Sequence, residues 1–360
     1  MKRIKDIALV VVISLAVAIL AGEVYYRFIS AQGYITPALL KARGLEYKPG
    51  NFARYILPQK EQTSRGKYYV NKLGYRGHDF SVEKQPGTIR VMTMGGSSVF
   101  DVGALDDEDW PHRVEQLLKE RGLNNVEVIN AGIIGYNSAD SLGRFIAEAH
   151  TFKPDYVFFF SAWNDLKYFK STQNLLRRQE IYSESPLLHY TSGVDRFLCE
   201  TSQVYAHLRQ EYYAWRERRQ PAVSEEFAHS NEVNFEHLKQ YRLNVELFVE
   251  AARNIGAVPV LMTEPTLISP ANTDFEKQRI KYQSVELNHE QLCDAYQRVE
   301  TIVREVVAAK QVDFIDASKE LSGRTELFWD HGHLTMRGSE TLAQLVSREF
   351  ERIYKQRISG

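Results

Sequence analysis

Five residues that follow predicted strands carry groups suited to acyl transfer. A hydrolytic serine needs a base that takes its proton, and the base needs an acceptor that orients it. Ser97, Asp330 and His333 supply these three residue types in that chain order. Gly135 stands just before a predicted helix and Asn164 just after a predicted strand, so a backbone N–H and an amide could donate to an oxyanion. The set predicts attack by a serine hydroxyl on a carbonyl carbon.

Two other assignments use neighbouring residues. Ser98 is adjacent to Ser97 and could be the nucleophile instead. His331 and His333, beside Asp330, could bind a metal, but two imidazoles and one carboxylate lack an obvious further ligand. We therefore expect no metal and no organic cofactor. The sequence has no Gly-x-Ser-x-Gly motif, which argues against the α/β-hydrolase fold.

An alternation of strands and helices positions these groups. Strands are predicted at 89–94, 126–129, 156–160, 258–262 and 312–316, and helices at 110–121, 138–150, 243–254, 292–310 and 335–354. This order favours a five-stranded parallel sheet with helices on both faces. Active groups in such sheets collect at the carboxyl ends of the strands. Pro259, inside the fourth strand, predicts an edge or first-turn position for its residue.

Three regions divide the chain. We predict an amino-terminal segment at 1–30, a stem or packed extension at 31–85, and a catalytic domain at 86–358 with a helical insertion at about 170–235. The insertion contains the charged tract His207 to Gln220. That tract is either a solvated helix with a tyrosine and tryptophan face, or a lid or surface that meets membrane or polysaccharide.

The amino terminus resembles a signal sequence. Lys2, Arg3 and Lys5 precede an uncharged, mostly apolar run from Ile7 to Gly22. A cleaved signal peptide and an uncleaved signal anchor both fit, but no convincing cleavage site follows the run, and we favour the anchor. The aromatic and apolar residues after Glu23 could extend a single transmembrane helix. The basic residues should stay cytoplasmic, which places the catalytic domain on the periplasmic side in a bacterium.

Composition excludes several classes of protein. Of 360 residues, 44% are hydrophobic and 25% are charged, proportions typical of globular proteins. The formal net charge of -1 argues against a globally basic nucleic-acid binder, and we expect no nucleic-acid partner. Cys199 and Cys293 are the only cysteines, which excludes a disulfide-rich scaffold and a four-cysteine zinc site. The two thiols could pair or stay free.

Four blocks of the sequence resemble the SGNH/GDSL-type hydrolases, in the branch with an amino-terminal membrane segment. The blocks are Gly95-Gly96-Ser97, Gly135 within INAGIIGYNS, Ala162-Trp163-Asn164-Asp165, and Asp330-His331-Gly332-His333 with its HLT continuation. The upstream NKLGYRG segment at 71–77 is similar to one found in that branch. Three residues depart from the family pattern: Gly96 replaces an aspartate, Ala162 replaces a glycine, and Asp101 stands where a glycine often follows.

The resemblance implies a three-layer α/β/α, flavodoxin-like fold and a role for each block. Ser97 would be the nucleophile rather than Ser98, His333 the base and Asp330 its orienting acceptor. The oxyanion would lie between the backbone N–H groups of Ser97 and Gly135 and the side chain of Asn164. The implied substrates are O-acetyl or acyl esters of envelope glycan or lipid. An O-acyltransferase using the same site and a catalytically silent glycan-binding envelope protein remain alternatives.

Overall fold

The computed structural model describes residues 2–26, 59–63, 66–105, 108–167, 190–219, 233, 235, 237–285 and 287–359. The chain divides into two compact units. One comprises Met1–Pro49 and Leu176–Val223, and the other comprises Gly50–Leu175 and Ser224–Gly360. The central part of the predicted insertion, Leu176–Val223, therefore groups with the amino-terminal residues, and its two ends group with the sheet.

The larger unit begins with a hairpin that the sequence did not reveal. Strands β1 (Gln59–Thr63) and β2 (Gly66–Val70) pair antiparallel within the region predicted as a stem. The core strands follow as β3 (Ile89–Met94), β4 (Val126–Asn130), β5 (Tyr156–Phe159), β6 (Val258–Met262) and β7 (Asp313–Ile315). Each core strand lies within one or two residues of its predicted bounds.

The five core strands form one parallel sheet in the order β4-β3-β5-β6-β7. This is the doubly wound order in which the chain first moves outward from β3 to β4 and then returns to the other side of β3. The reversal places the carboxyl ends of β3 and β5 side by side. A crevice for ligands is expected at that switch point.

Helices cover the sheet. They are α2 (Ser97–Phe100), α3 (Trp110–Glu120), α4 (Ser138–Phe152), α5 (Trp163–Leu166), α8 (His237–Asn254), α9 (Asp274–Lys277), α10 (His289–Lys310), α11 (Ala317–Leu321) and α12 (Met336–Ser359), with short 3₁₀ turns at Tyr282–Ser284 and Thr325–Leu327. Residues from α4, α8 and α10 pack in one apolar cluster with one set of strand side chains. Residues from α3 and α12 pack in a second cluster with the alternate set. The predicted three-layer α/β/α arrangement is confirmed.

Pro259 lies in an interior strand, so the predicted edge position is wrong for β6 as a whole. The β6–β7 pairing begins only at Val260, opposite Asp313, one residue after the proline. On the other side, Val258 donates its N–H to the carbonyl of Asp155. Successive residues of a strand address opposite neighbours, so the missing N–H of Pro259 faces the side where pairing has not yet begun.

The smaller unit contains α1 (Lys2–Val24), α6 (Gly193–Thr201) and α7 (Gln203–Arg219). Glu23, at the end of α1, accepts hydrogen bonds from the backbone N–H groups of Gln203 and Val204 and from the hydroxyl of Ser202. The carboxylate thus caps the amino-terminal end of α7, where unpaired N–H groups and the helix dipole favour negative charge.

A buried ion pair joins α6 to α7. Arg209 Nε lies 2.6 Å from Asp195 Oδ1, and its Nη2 lies 2.8 Å from Oδ2. Burial opposes ionisation of Asp195, but the hydrogen bonds from Arg209 and Thr191 hold its pKa below the usual range. Cys199 lies beside this pair, and both it and Cys293 are free thiols.

The amino-terminal predictions are only partly covered by the described residues. The run from Ile7 to Gly22 is helical, and Phe28 and Ile29, which were expected to extend it, lie outside the described residues. None of the helices that the structure describes has both the length and the apolar composition that crossing a membrane requires.

Candidate active site

The structure brings Ser97, His333 and Asp330 into one hydrogen-bonded row. His333 Nε2 lies 2.8 Å from Ser97 Oγ, and Nδ1 lies 2.8 Å from Asp330 Oδ2. With the Nδ1 proton pointing to the carboxylate, Nε2 is left to accept the proton of the serine hydroxyl. The row therefore has the order nucleophile, base and orienting acceptor that the residue types predict.

Asp330 is held as an ionised acceptor by several donors. Its Oδ1 accepts the backbone N–H groups of Gly332 and His333 at 3.1 and 2.9 Å. Lys281 Nζ lies 3.0 Å from Oδ2, the oxygen that also faces His333. Burial raises the pKa of this carboxyl, but the hydrogen bonds from the imidazole and the backbone N–H of His333 outweigh burial and hold the pKa well below its usual range.

Two glycines allow the turn that presents Ser97. A Cβ on Gly95 would lie 2.4 Å from the carbonyl oxygen of Phe160. A Cβ on Gly96 would lie 2.7 Å from the carbonyl oxygen of Tyr136 and 3.0 Å from Asn164 Nδ2. The departure from aspartate at Gly96 thus has a steric reason in this chain: the carbonyl of Tyr136 and the amide of Asn164 occupy the space beside its Cα.

The predicted oxyanion donors meet at the same edge of the sheet. Asn164 lies on α5, directly after β5, and its Nδ2 donates to the carbonyl oxygen of Tyr136 at 2.9 Å. Gly135, the residue before Tyr136, has a φ of 84°, in the left-handed region that favours glycine. Nothing lies within 4 Å of the position that a Cβ on Gly135 would take. The space beside this residue is therefore open.

The side chain of Asp165 connects the segment that contains Asn164 to the start of α4. The carboxylate accepts the N–H and the hydroxyl of Ser138, at the start of α4, and the hydroxyl of Ser161. Burial raises the pKa of Asp165 to about 6, although these donors oppose the rise. The sequence singled out this residue only as part of the third block, and its observed contacts are with Ser138 and Ser161.

Sequence reasoning missed Glu264. This buried residue follows β6, and its Oε1 lies 2.7 Å from Ser98 Oγ while its Oε2 lies 3.2 Å from the backbone nitrogen of Trp163. No motif marks it, because its partners are distant in sequence and each belongs to a different block. Only its position after a predicted core strand was a signal. Ser98, the alternative nucleophile, donates to this carboxylate.

A second group of residues supports the turn that presents Ser97. Asp101 has a φ of 59°, a left-handed conformation that explains why glycine is common at this position, and aspartate tolerates it. Its carboxylate accepts the N–H of Trp110, and the indole of Trp110 donates to the carbonyl of Ser98. Arg76, from the upstream NKLGYRG segment, donates to the carbonyls of Asp101 and Ala104.

Asp109 belongs to the same group of supporting residues. It precedes α3, but its side chain makes no capping hydrogen bond. Its carboxylate instead pairs with Arg76 and His112 and accepts from Asn130. Burial opposes ionisation, yet these partners hold the pKa of Asp109 down at about 2.

His331 packs against an indole ring. It stacks on the ring of Trp163 with 3.5 Å between centroids, and its carbonyl oxygen accepts from Thr266 and Leu267. Burial lowers the pKa of His331 to about 3 although the charge of Asp330 opposes the change, so the ring is neutral. Asp330, His331 and His333 offer ligand atoms within 4.8 Å of one another. In the described part of the chain this group has three members, and two of them already form the row with Ser97.

The α/β fold places Ser97, His333 and Asp330 in one hydrogen-bonded row at the carboxyl ends of the strands. The sequence pattern of the GDSL-like lipase/acylhydrolase family matches residues 93–341. The chain belongs to this family, and it is an ester hydrolase. The matched region contains Ser97, Gly135, Asn164, Asp330 and His333.

Two solved structures are similar to this chain at low sequence identity. A lipase/acylhydrolase from Enterococcus faecalis shares 19% sequence identity, with a TM-score of 0.44, over 73% of this chain and 95% of that one. An acetyl xylan esterase from Geobacillus stearothermophilus shares 15% identity, with a TM-score of 0.44, over 74% of this chain and 96% of that one. No curated protein sequence matches the chain.

Proposed function

We propose that the chain is a serine esterase that hydrolyses carboxylic esters through an acyl-enzyme on Ser97. The observation that carries the proposal is the row Ser97, His333, Asp330, with both hydrogen bonds at 2.8 Å. His333 Nε2 takes the hydroxyl proton as Ser97 Oγ bonds to the ester carbon. Asp330 keeps the imidazole oriented and stabilises the imidazolium that forms.

The tetrahedral oxyanion is held by three donors in this proposal. These are the backbone N–H groups of Ser97 and Gly135 and the amide of Asn164. An amide nitrogen carries two hydrogens, and the contact with the Tyr136 carbonyl uses one of them. In this proposal the second hydrogen of the Asn164 amide points to the oxyanion. One such donor typically contributes about 3 kcal/mol to the transition state.

The cycle closes with water. Collapse of the tetrahedral intermediate breaks the bond to the alcohol, which leaves with the proton from His333. His333 then takes a proton from water as the water oxygen bonds to the acyl carbon. Collapse of this second tetrahedral intermediate breaks the bond to Ser97 Oγ, His333 returns the proton to that oxygen, and the carboxylic acid leaves. These steps are assigned to residues of the chain itself, without a metal or organic cofactor.

The proposed substrates are O-acetyl or acyl esters of envelope glycan or lipid. A sugar hydroxyl that replaced water in the second step would make the same site an O-acyltransferase. A catalytically silent glycan-binding protein would not need the hydrogen-bonded row, which favours an enzyme.

We also propose that α1 attaches the chain to a membrane and that the catalytic unit lies outside the cytoplasm. Support comes from the charge order of the amino terminus and from the exposed apolar side chains of α1, among them Leu9, Val12 and Leu15. The exposed Leu208, Tyr212 and Trp215 are spaced four and three residues apart on α7, so they share one face of the helix that Glu23 caps. Aromatic residues of this kind are enriched where a membrane meets water.

An ester panel tests the enzymatic proposal. Purified full-length chain in detergent would be assayed on p-nitrophenyl esters of graded acyl length and on O-acetylated polysaccharide, with Ser97→Ala as the matched control. Hydrolysis by the wild type that is lost in the control supports the serine esterase. Acyl transfer to added sugar at the expense of free acid would assign the transferase, and equal inactivity of both proteins would refute both.

A further inference from the structure

A carboxylate two residues after the fourth core strand, β6, links two parts of the site. Glu264 is 7% exposed and accepts from Ser98 Oγ on one oxygen and from the Trp163 N–H on the other. Ser98 is adjacent to the proposed nucleophile, and Trp163 is adjacent to the oxyanion donor Asn164.

We propose that Glu264 is a positioning residue that sets the separation between the Ser97 hydroxyl and the Asn164 amide. This inference rests on the proposed function. Ser97 and Asn164 lie in separate segments, after β3 and β5. Each segment contains one short helix, α2 and α5 respectively. A single side chain with one oxygen on each loop holds them at a defined distance.

An ionised carboxylate suits this role better than a neutral amide. Ser98 Oγ and the Trp163 N–H both act as donors to Glu264, and a carboxylate offers only acceptors. A glutamine would turn an NH2 group toward one of these donors and lose that hydrogen bond. Burial raises the pKa of Glu264, and the hydrogen bonds from Ser98 and Trp163 oppose that rise because they favour the charged form.

The rest of the frame is anchored independently. The carbonyl of Glu264 accepts from the hydroxyl of Ser318, on α11, at 3.0 Å. Trp163 also stacks on His331, in the loop that carries Asp330 and His333. Loss of the carboxylate contacts therefore releases the link between the two loops while other contacts of these residues remain.

Kinetics on p-nitrophenyl acetate test the proposal. We expect Glu264→Gln to lower kcat about 10- to 100-fold with KM within about twofold, because misplacement of a reacting group by about 1 Å costs about 100-fold. Glu320→Gln, the same change at an exposed glutamate on α11, should match the wild type. A Glu264→Gln enzyme with wild-type kcat would overturn the role.

Two double-variant cycles separate positioning from general destabilisation. If Glu264 acts through the link, Glu264→Gln should add less than about threefold to the loss in Ser98→Ala, and less than about threefold to the loss in Asn164→Ala. Losses that multiply in both cycles would refute it. Thermal unfolding of each variant measures its loss of stability. A purely structural residue would lower the stability but would show no kinetic coupling to Ser98 or Asn164.

A crystal structure of Glu264→Gln decides the matter without any assay. The expected result is a changed separation between Ser97 Oγ and Asn164 Nδ2. An unchanged separation would overturn the positioning role even if the variant is slow. Inactivity of the wild type on every ester would instead count against the proposed function, and the crystal structure would still test the link.

Discussion

His333 Nε2 lies 2.8 Å from Ser97 Oγ although 236 positions separate the two residues in the chain. The serine follows β3, and the histidine lies in the loop before α12. Parallel strands bring their carboxyl ends to one edge, so residues far apart in sequence meet there. This contact leads to the first prediction.

Replacement of the proposed nucleophile should abolish turnover without unfolding the protein. Ser97→Ala is expected to lower kcat by about 10³-fold or more, since no other hydroxyl faces His333 Nε2 among the described residues. Ser98→Ala removes a donor to Glu264, and we expect it to lower kcat about 10-fold. Circular dichroism would check the fold. Activity kept in Ser97→Ala and lost in Ser98→Ala would move the nucleophile by one position.

A chelator should leave activity unchanged. We expect EDTA to have no effect and His331→Ala to keep most of kcat while it lowers the free energy of unfolding by about 1–3 kcal/mol, because the ring packs on Trp163. His333→Ala should be inactive. Metal content of the purified protein, measured by mass spectrometry, is the control. Inhibition by EDTA that zinc reverses would contradict the proposed mechanism.

Asp101 should make stability depend on pH. Burial raises its pKa in the folded protein to about 7, above the ordinary value of 3.8. The folded state therefore holds a proton that the unfolded state releases, and stability falls as pH rises from about 4 to about 7, by up to about 1.4 kcal/mol per pH unit.

The variant Asp101→Asn tests that dependence. Asparagine keeps an acceptor for the Trp110 N–H and tolerates the left-handed backbone, but it does not titrate. Urea unfolding at pH 5, 6 and 7 should show that the free energy of unfolding falls less steeply for the variant than for the wild type. Parallel pH profiles for the two proteins would refute the assignment.

Membrane attachment predicts where the full-length chain is found. It should fractionate with membranes at full mass, and protease added to spheroplasts should digest the catalytic unit. Replacement of Leu9, Val12 and Leu15 by serine should release the protein, since these exposed side chains would lose their apolar contact. Replacement by serine of the exposed Thr301, Gln344 and Lys355, on helices of the larger unit, is the control.

Three results would change that proposal in different ways. A mature amino terminus near Gly22 would show a cleaved signal peptide and a soluble exported enzyme. Protection of the catalytic unit in intact spheroplasts would invert the topology and remove envelope glycan as substrate. Full-length protein in the soluble fraction would refute attachment.

Local sequence signals predicted the sheet well because they depend on neighbouring residues. The run Tyr156 to Phe159 is buried on both faces, and its unbroken apolar character already indicated that position. The glycines before Ser97 and at Gly135 marked turns for the same reason. The prediction from Pro259 was wrong because an interior strand can contain a proline where its neighbour has not yet begun to pair. The pairing with β7 begins one residue later, at Val260.

The sequence by itself determined the order of strands and helices, the residue types of the site and the family to which the chain belongs. Only the tertiary structure decided that Glu264 contacts Ser98, 166 positions away, and that Glu23 caps a helix in the insertion. Each of these contacts joins single polar side chains of different elements, and no periodicity or motif in the sequence predicts it. Their partners are chosen by the packing of whole elements, which buries each carboxylate beside the donors that satisfy it.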